Sequence, residues 1–375
     1  MAATALGNAK RDARASEVVA KLNDSWTAGA PDESLTGASQ QARLWASTVR
    51  RNLKALGVEN VWLRFVGRSA PSGQSPEGWF VGEVEVRWTP EDGADPSRVI
   101  VSLRFDAAGF PVGEADTTPT AEPFPVWLSG RLQVVHERGV TLIGVRHNPD
   151  FDKVRLITVR AARDVRAALP RRQPVVTVVV PPNAETASRL LGSTRHDLAG
   201  IAAVTATVDG SDHRYTPVHV VLNAPIFDAL GRRAAQFVLT HELTHATTGA
   251  TTSSMPLWAA EGFADYVALH DSRLPLDVAV GQALSRVGRS GALRALPSDS
   301  DFAAQGSGLG RAYEEAWLVF RMLADRYGHA ATVKLYLRIR DGGSLHRALG
   351  VLGLNVTSLT AAWRDYLEYL AAASN

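Results

Sequence analysis

The chain has 375 residues, 45% of them hydrophobic and 21% charged, with a formal net charge of +2 and no cysteine. That is ordinary soluble composition with room for two cores. The slight charge and the absence of any long basic run argue against a nucleic-acid partner, and the missing cysteines exclude disulfides, thiolate metal sites and cysteine catalysis.

In chain order, two helices are expected over Asn8–Gly29 and Ser39–Gly57, then three strands over Val58–Val66, Gly78–Thr89 and Ser97–Phe105. In the last two, apolar and polar residues alternate, as in Val84-Glu85-Val86-Arg87-Trp88, the pattern of a sheet with one face covered. Helices followed by an antiparallel sheet read as α+β, and this part resembles the cone-shaped nuclear-transport-factor-2-like fold. No residue in it points to chemistry, and His136 and His147 beyond it are scattered. Pro111, Pro119, Pro123 and Pro125 make a linker of about 110–126. The expected division is therefore an accessory α+β domain over 1–125 and a second domain over 126–375.

The second domain begins its clear pattern at Val175–Val180, a β-branched run closed by Pro181-Pro182 that reads as an interior strand. A short helix over Ala184–Leu191 follows, then strands at Ile201–Val208 and His219–Asn223 around a turn at Asp209-Gly210.

The next helix carries His241-Glu242-Leu243-Thr244-His245. Four residues advance a helix by about 400°, so the two imidazoles lie about 40° apart on one face, one turn along, and can grip one ion. Catalytic zinc takes three protein ligands and keeps a place for water; Glu261, in Pro256-Leu257-Trp258-Ala259-Ala260-Glu261-Gly262, supplies the third. Glu242 projects beside the ion, placed to act as general base on the bound water. Leu239, Leu243 and Ala246 mark the buried stripe of this helix, Asp228 its candidate N-cap and Gly249 its stop. Asp265, one turn after Glu261, is the candidate partner for the second ring nitrogen of His241, with an exposed helix aspartate as the plain alternative. Trp258 reads as a core anchor.

These motifs resemble the gluzincins, the thermolysin- and aminopeptidase-like zinc peptidases, and in particular a smaller bacterial branch with a Glu-Gly-x-Ala-x-Tyr string around the glutamate ligand, here Glu261 to Tyr266. The resemblance covers about 126–375. It implies a mixed sheet, metal-binding helices and a C-terminal helical bundle, a single Zn2+ per chain, and peptide or protein as substrate. It also implies an antiparallel edge strand that receives the substrate, at Ile201, Ala202, Ala203, Val204 and Thr205, and a catalytic tyrosine early in a later helix, at Tyr313. A plain hairpin strand and a half-buried helix tyrosine are the respective alternatives. Residues 200–205 contain no acid to receive an α-ammonium, and the Gly-Ala-Met-Glu-Asn signature of the large aminopeptidases is absent, which favours an endopeptidase. The alternatives are an aminopeptidase, a hydrolase of non-peptide amides, and a catalytically silent zinc-containing binding protein.

Residues 297–310, polar and glycine-rich, are expected to form a mobile loop before the helix of Tyr313, which ends before Gly328. Helices over Ala330–Arg340, Ser344–Leu352 with Ser344 as N-cap, and Ser358–Ala373 complete the chain. No apolar stretch approaches the roughly 20 residues that span a bilayer, and Met1–Lys10 lacks the features of a signal peptide. Similar two-part chains often lie outside the cell behind a membrane anchor, so the expectation leans to an extracytoplasmic protein whose anchor is missing from this chain, with the cytoplasm as the alternative.

Overall fold

The computed structural model describes residues 2–28, 35–69, 78–90, 95–115, 122–146, 148, 150–169, 173–270, 275–291, 295–302, 308–342 and 344–373. The class is α+β, with two sheets and a helical C-terminal region. By compactness the chain forms two units, Met1–Arg155 with Val176–Leu230, and Leu156–Val175 with Gly231–Asn375. The expected border at 125/126 falls between the two sheets, both of which lie in the first unit.

The first unit opens with α1 (Ala2–Ala28) and α2 (Gln40–Leu56). Ser39 caps α2 by accepting from the Ala42 N–H, and Gly57, left-handed at φ 64, closes it with its own N–H on the Leu53 carbonyl. Ala42, Trp45, Ala46, Val49 and Leu53 recur at helical spacing and are buried. In the same core lie residues of an antiparallel meander, β1 (Glu59–Arg68), β2 (Phe80–Thr89), β3 (Ser97–Phe105) and β4 (Pro111–Glu114), in that spatial order. Val84 opposite Val101 and Val86 opposite Val99 form its covered face. On the other face the buried Glu85 carboxylate accepts from Arg64, Arg87 and Arg98. Strand β4 corrects the expected linker. Its proline stands at the first position of an edge strand, where a missing N–H costs no ladder bond, so proline there does not mean loop. Residues 116–121 of that stretch lie outside the described residues.

A 3-10 turn at Val126–Leu128 leads into the second sheet: β5 (Leu132–Glu137), β6 (Val140–Val145), then α3 (Phe151–Ala168), β7 (Val176–Val180), α4 (Ala184–Leu191), β8 (Ala203–Thr207) and β9 (Val218–Leu222). The spatial order is β5-β6-β7-β9-β8, parallel in the middle and antiparallel at both edges. β7 is buried at every position, the interior strand expected from its composition. Asn52 of α2 donates to the carbonyls of Trp127 and Gly130, tying α2 to the entry of this sheet.

The remaining helices are α5 (Ala224–Asp228), α6 (Arg232–Thr248), α7 (Leu257–Leu269), α8 (Leu276–Ala279), α9 (Gly281–Ser290), α10 (Asp299–Phe302), α11 (Leu309–Tyr327), α12 (His329–Arg340), α13 (Leu345–Gly350) and α14 (Val356–Ala373). Asp228 does not cap the metal helix. A proline in its first turn starts α5 as a separate short helix that Asp228 ends, and Gly231 takes the N-cap position of α6. Gly249 and Gly328 end their helices as expected, and Ser344 Oγ accepts from the Arg347 N–H at the start of α13. The expected loop at 297–310 contains α10, and its residues 303–307 lie outside the described residues. No described helix is long and apolar enough to cross a membrane.

Candidate metal centre

On α6, Leu239, Leu243 and Ala246 are buried as their spacing predicts, and His241 and His245 are buried with them. The two rings stand 4.6 Å apart at 79°, each presenting Nε2 toward the other at 2.9 Å. α7 is apolar around most of its circumference, with Trp258, Phe263, Ala264 and Val267 buried. Its carboxylates, Glu261 and Asp265, are one turn apart and reach His241 from its two sides. Glu261 Oε2 lies 3.1 Å from His241 Nε2 and 3.3 Å from His245 Nε2, while Asp265 Oδ1 accepts from His241 Nδ1 at 2.8 Å.

Nδ1 of His241 carries the proton that Asp265 accepts, so in a neutral ring Nε2 offers only a lone pair. That lone pair faces a second imidazole nitrogen and a carboxylate oxygen, an arrangement that only added protons or a cation can relieve. The three donor atoms form a triangle with sides of 2.9, 3.1 and 3.3 Å. One ion can therefore stand roughly 2.0–2.2 Å from all three, the ordinary distance for a divalent transition ion on nitrogen and carboxylate ligands. His241, His245 and Glu261 together can hold a metal ion.

The electrostatics agree. Burial by itself disfavours a charged His241, yet the carboxylates of Asp265 and Glu261 on its two nitrogens outweigh burial and hold its pKa well above the usual histidine value. Burial likewise opposes ionisation of Glu261, and the two histidines overcome it, keeping that carboxyl well below its usual range. Asp265 is pushed up by burial, partly offset by its bond to His241. The site is thus an anionic pocket that attracts positive charge.

The other expected residues assemble unevenly. Glu242 is half-buried beside His241, and its charge acts on both His241 and Tyr313. The Tyr313 ring lies 6.1 Å from that of His241 and edge-on to Phe302 at 5.4 Å. Burial, and then the charges of Glu261, Asp265 and Glu242, raise the pKa of this phenol far above normal, so it is a neutral O–H donor. Trp258 is buried against Phe320 of α11, a core residue as expected.

β8 is an edge strand antiparallel to β9, as expected, but it runs over Ala203–Thr207, so Ile201 and Ala202 precede it. At its start the Asn223 side-chain amide donates to the Ile201 carbonyl, and the Asn223 backbone N–H donates to the Ala202 carbonyl as the end bond of the ladder. β8 belongs to the first unit and the metal cluster to the second.

Two features of the centre lay beyond the sequence reading. Gly262, next to Glu261, packs directly on the backbone of Ala316 in α11; a small residue beside a ligand is its only local sign. Tyr336 of α12 touches both metal helices and has no local sign at all. A scan against protein-family models and a search of curated proteins found no match to this chain.

Proposed function

We propose that this chain is a zinc-dependent metallopeptidase, a hydrolase of the gluzincin kind, more specifically an endopeptidase. The observation that carries the reading is the convergence of His241 Nε2, His245 Nε2 and Glu261 Oε2 within bonding reach of one ion, with Glu242 next to His241 and the Tyr313 ring beside them. Two imidazoles and one carboxylate suit zinc and leave a position for water, and zinc, when bound, supplies a Lewis acid and lowers the pKa of that water to about 7.

The chain's own groups supply the rest. Asp265 keeps the proton of His241 on Nδ1, so that Nε2 points its lone pair into the site. Glu242 takes a proton from the attacking water on its carboxylate and returns it to the leaving amine nitrogen. Tyr313, neutral because it is buried among carboxylates, donates to the oxygen of the carbonyl under attack. The even-numbered residues of β8 bond to β9, as the bonds of Ala202 and Val208 at its two ends indicate, so Ala203 directs its N–H to the open edge. That edge is where an extended substrate can pair by strand addition. The absence of any acid in residues 200–205 supports internal cleavage.

The test is to load the protein with zinc, incubate it with a diverse peptide mixture and read the products by mass spectrometry, with Glu242→Gln at equal zinc content as control. Internal cuts made by the wild type alone are expected. Removal of single terminal residues would replace the endopeptidase reading with an exopeptidase one, and no cleavage with zinc bound would leave a zinc-containing binding protein.

A further inference from the structure

The metal ligands come from two helices, so their spacing depends on whatever holds α6 against α7. α12 holds both. Tyr336, fully buried, lays its ring face to face on Phe263 of α7, with centroids 3.7 Å apart and planes 10° from parallel. The same side chain puts its hydroxyl 2.8 Å from Thr248 Oγ1, on the last residue of α6.

The direction of that bond is determined. Thr248 has one hydroxyl proton, and it donates it to the Thr244 carbonyl at 2.7 Å. Tyr336 must therefore be the donor and Thr248 the acceptor. One turn further along α12, Arg340 Nη1 donates to the Thr248 carbonyl at 2.8 Å, satisfying one of the acceptors that a helix end leaves open. A phenylalanine at 336 would keep the stack and fill the same space, so the hydroxyl, which is costly to bury, serves the contact with α6.

We infer that Tyr336 is a positioning residue of the metal centre: through Thr248, three residues beyond His245, and Phe263, two residues beyond Glu261, it sets the distance between the imidazole pair and the carboxylate. It touches neither the ligand atoms nor the reacting groups. The inference rests on His241, His245 and Glu261 being the metal ligands.

The experiment compares the full-length wild type with Tyr336→Phe, Thr248→Val and the double variant. Zinc affinity is measured by competition with a chromophoric chelator, and the stability of the metal-free protein by denaturant, at a temperature where every variant is folded. Each single variant is expected to lose roughly three- to tenfold in zinc affinity, at or below the low end of the ~10–100-fold range for groups bonded directly to a ligand. The double variant should lose no more than the weaker-binding single, since both break one bond. Folded single variants that bind zinc like the wild type, however much metal-free stability they lose, would overturn the inference, because that is the signature of a merely structural contact. Should Tyr336→Phe fail to fold, Thr248→Val decides alone by the same criterion. A wild type that takes up no zinc would overturn the metal-centre reading itself, and this is seen before any variant is compared.

Discussion

Gly262 of α7 faces Ala316 of α11 so closely that a Cβ on the glycine would stand 2.4 Å from the Ala316 carbonyl oxygen and 2.5 Å from its carbon. Both atoms are backbone, so neither can swing aside. Glu261 precedes this glycine, and Tyr313 lies one turn before Ala316. The absence of one side chain thus lets the helix of Glu261 and the helix of Tyr313 approach closely. In Gly262→Ala the alanine gains about 1 kcal/mol in helix propensity, while parting two packed helices costs about 1–3 kcal/mol. We expect a net loss of up to about 2 kcal/mol, read by denaturant, together with weaker zinc retention. Unchanged stability and zinc content would show that α7 and α11 can part freely.

Asp265 is the partner of His241 Nδ1. Asp265→Ala leaves a buried N–H without its acceptor and releases the tautomer that points Nε2 at the metal. Zinc affinity or activity should fall roughly 10–100-fold, the usual range for such partners. Competition against a chelator measures it, and wild-type affinity would return the contact to a simple packing role.

Glu242 and Tyr313 should separate cleanly from the ligands. Glu242→Gln keeps its size and loses only the basic carboxylate, so zinc stays while turnover drops by about 10²–10⁴. Tyr313→Phe removes the donor proposed for the transition state, and kcat should fall by about 10²–10³ with KM nearly unchanged. Metal analysis beside steady-state kinetics decides both. A metal-loaded Glu242→Gln with wild-type turnover would sink the mechanism.

The first sheet carries its own pH signature. Hydrogen bonds from Arg98 and Arg64 outweigh the burial of Glu85 and, with Arg87, lower its carboxyl from 4.5 to about 2. Because the folded value lies below the unfolded one, this group's contribution to stability is complete above pH about 4.5 and disappears as pH falls toward about 2. In Glu85→Gln the protein should be less stable at neutral pH, and its stability should decline less steeply between those limits. Denaturation midpoints at several pH values report it; parallel acid limbs in the two proteins would remove Glu85 from the account.

Ala203 offers its N–H at the open edge of β8. Ala203→Pro removes that donor and leaves the metal ligands untouched. A rise in KM, or loss of turnover at full zinc occupancy, is expected, whereas an unchanged kcat/KM in the folded variant would put substrate elsewhere.

Much of the centre was legible because helical geometry is local. His241 with His245, and Glu261 with Asp265, are each four residues apart, and any helix places such residues on one face whatever surrounds it. Caps are local as well, which is why Ser39, Gly57, Gly249, Gly328 and Ser344 marked helix ends that the structure reproduces. Strands were harder. β3 and β7 declared themselves by alternation and by a β-branched run, whereas β5, β6 and the helix α3 between residues 126 and 175 went unassigned, and β4 was hidden behind a proline.

From sequence alone, then, came the pairing of His241 with His245 and of Glu261 with Asp265, the carboxylate of Glu242 beside them and the alternation of strands and helices that frames them, since each depends on residues within a turn or two of one another. Tertiary structure decided that the two pairs meet at one point, that Asp265 takes Nδ1 while Glu261 takes the Nε2 side, and that Gly262 gives α11 its approach. It alone brought Tyr336, distant in sequence from both metal helices, between Thr248 and Phe263. Such contacts arise from packing among segments remote along the chain, and no local periodicity records which remote surface a side chain will meet.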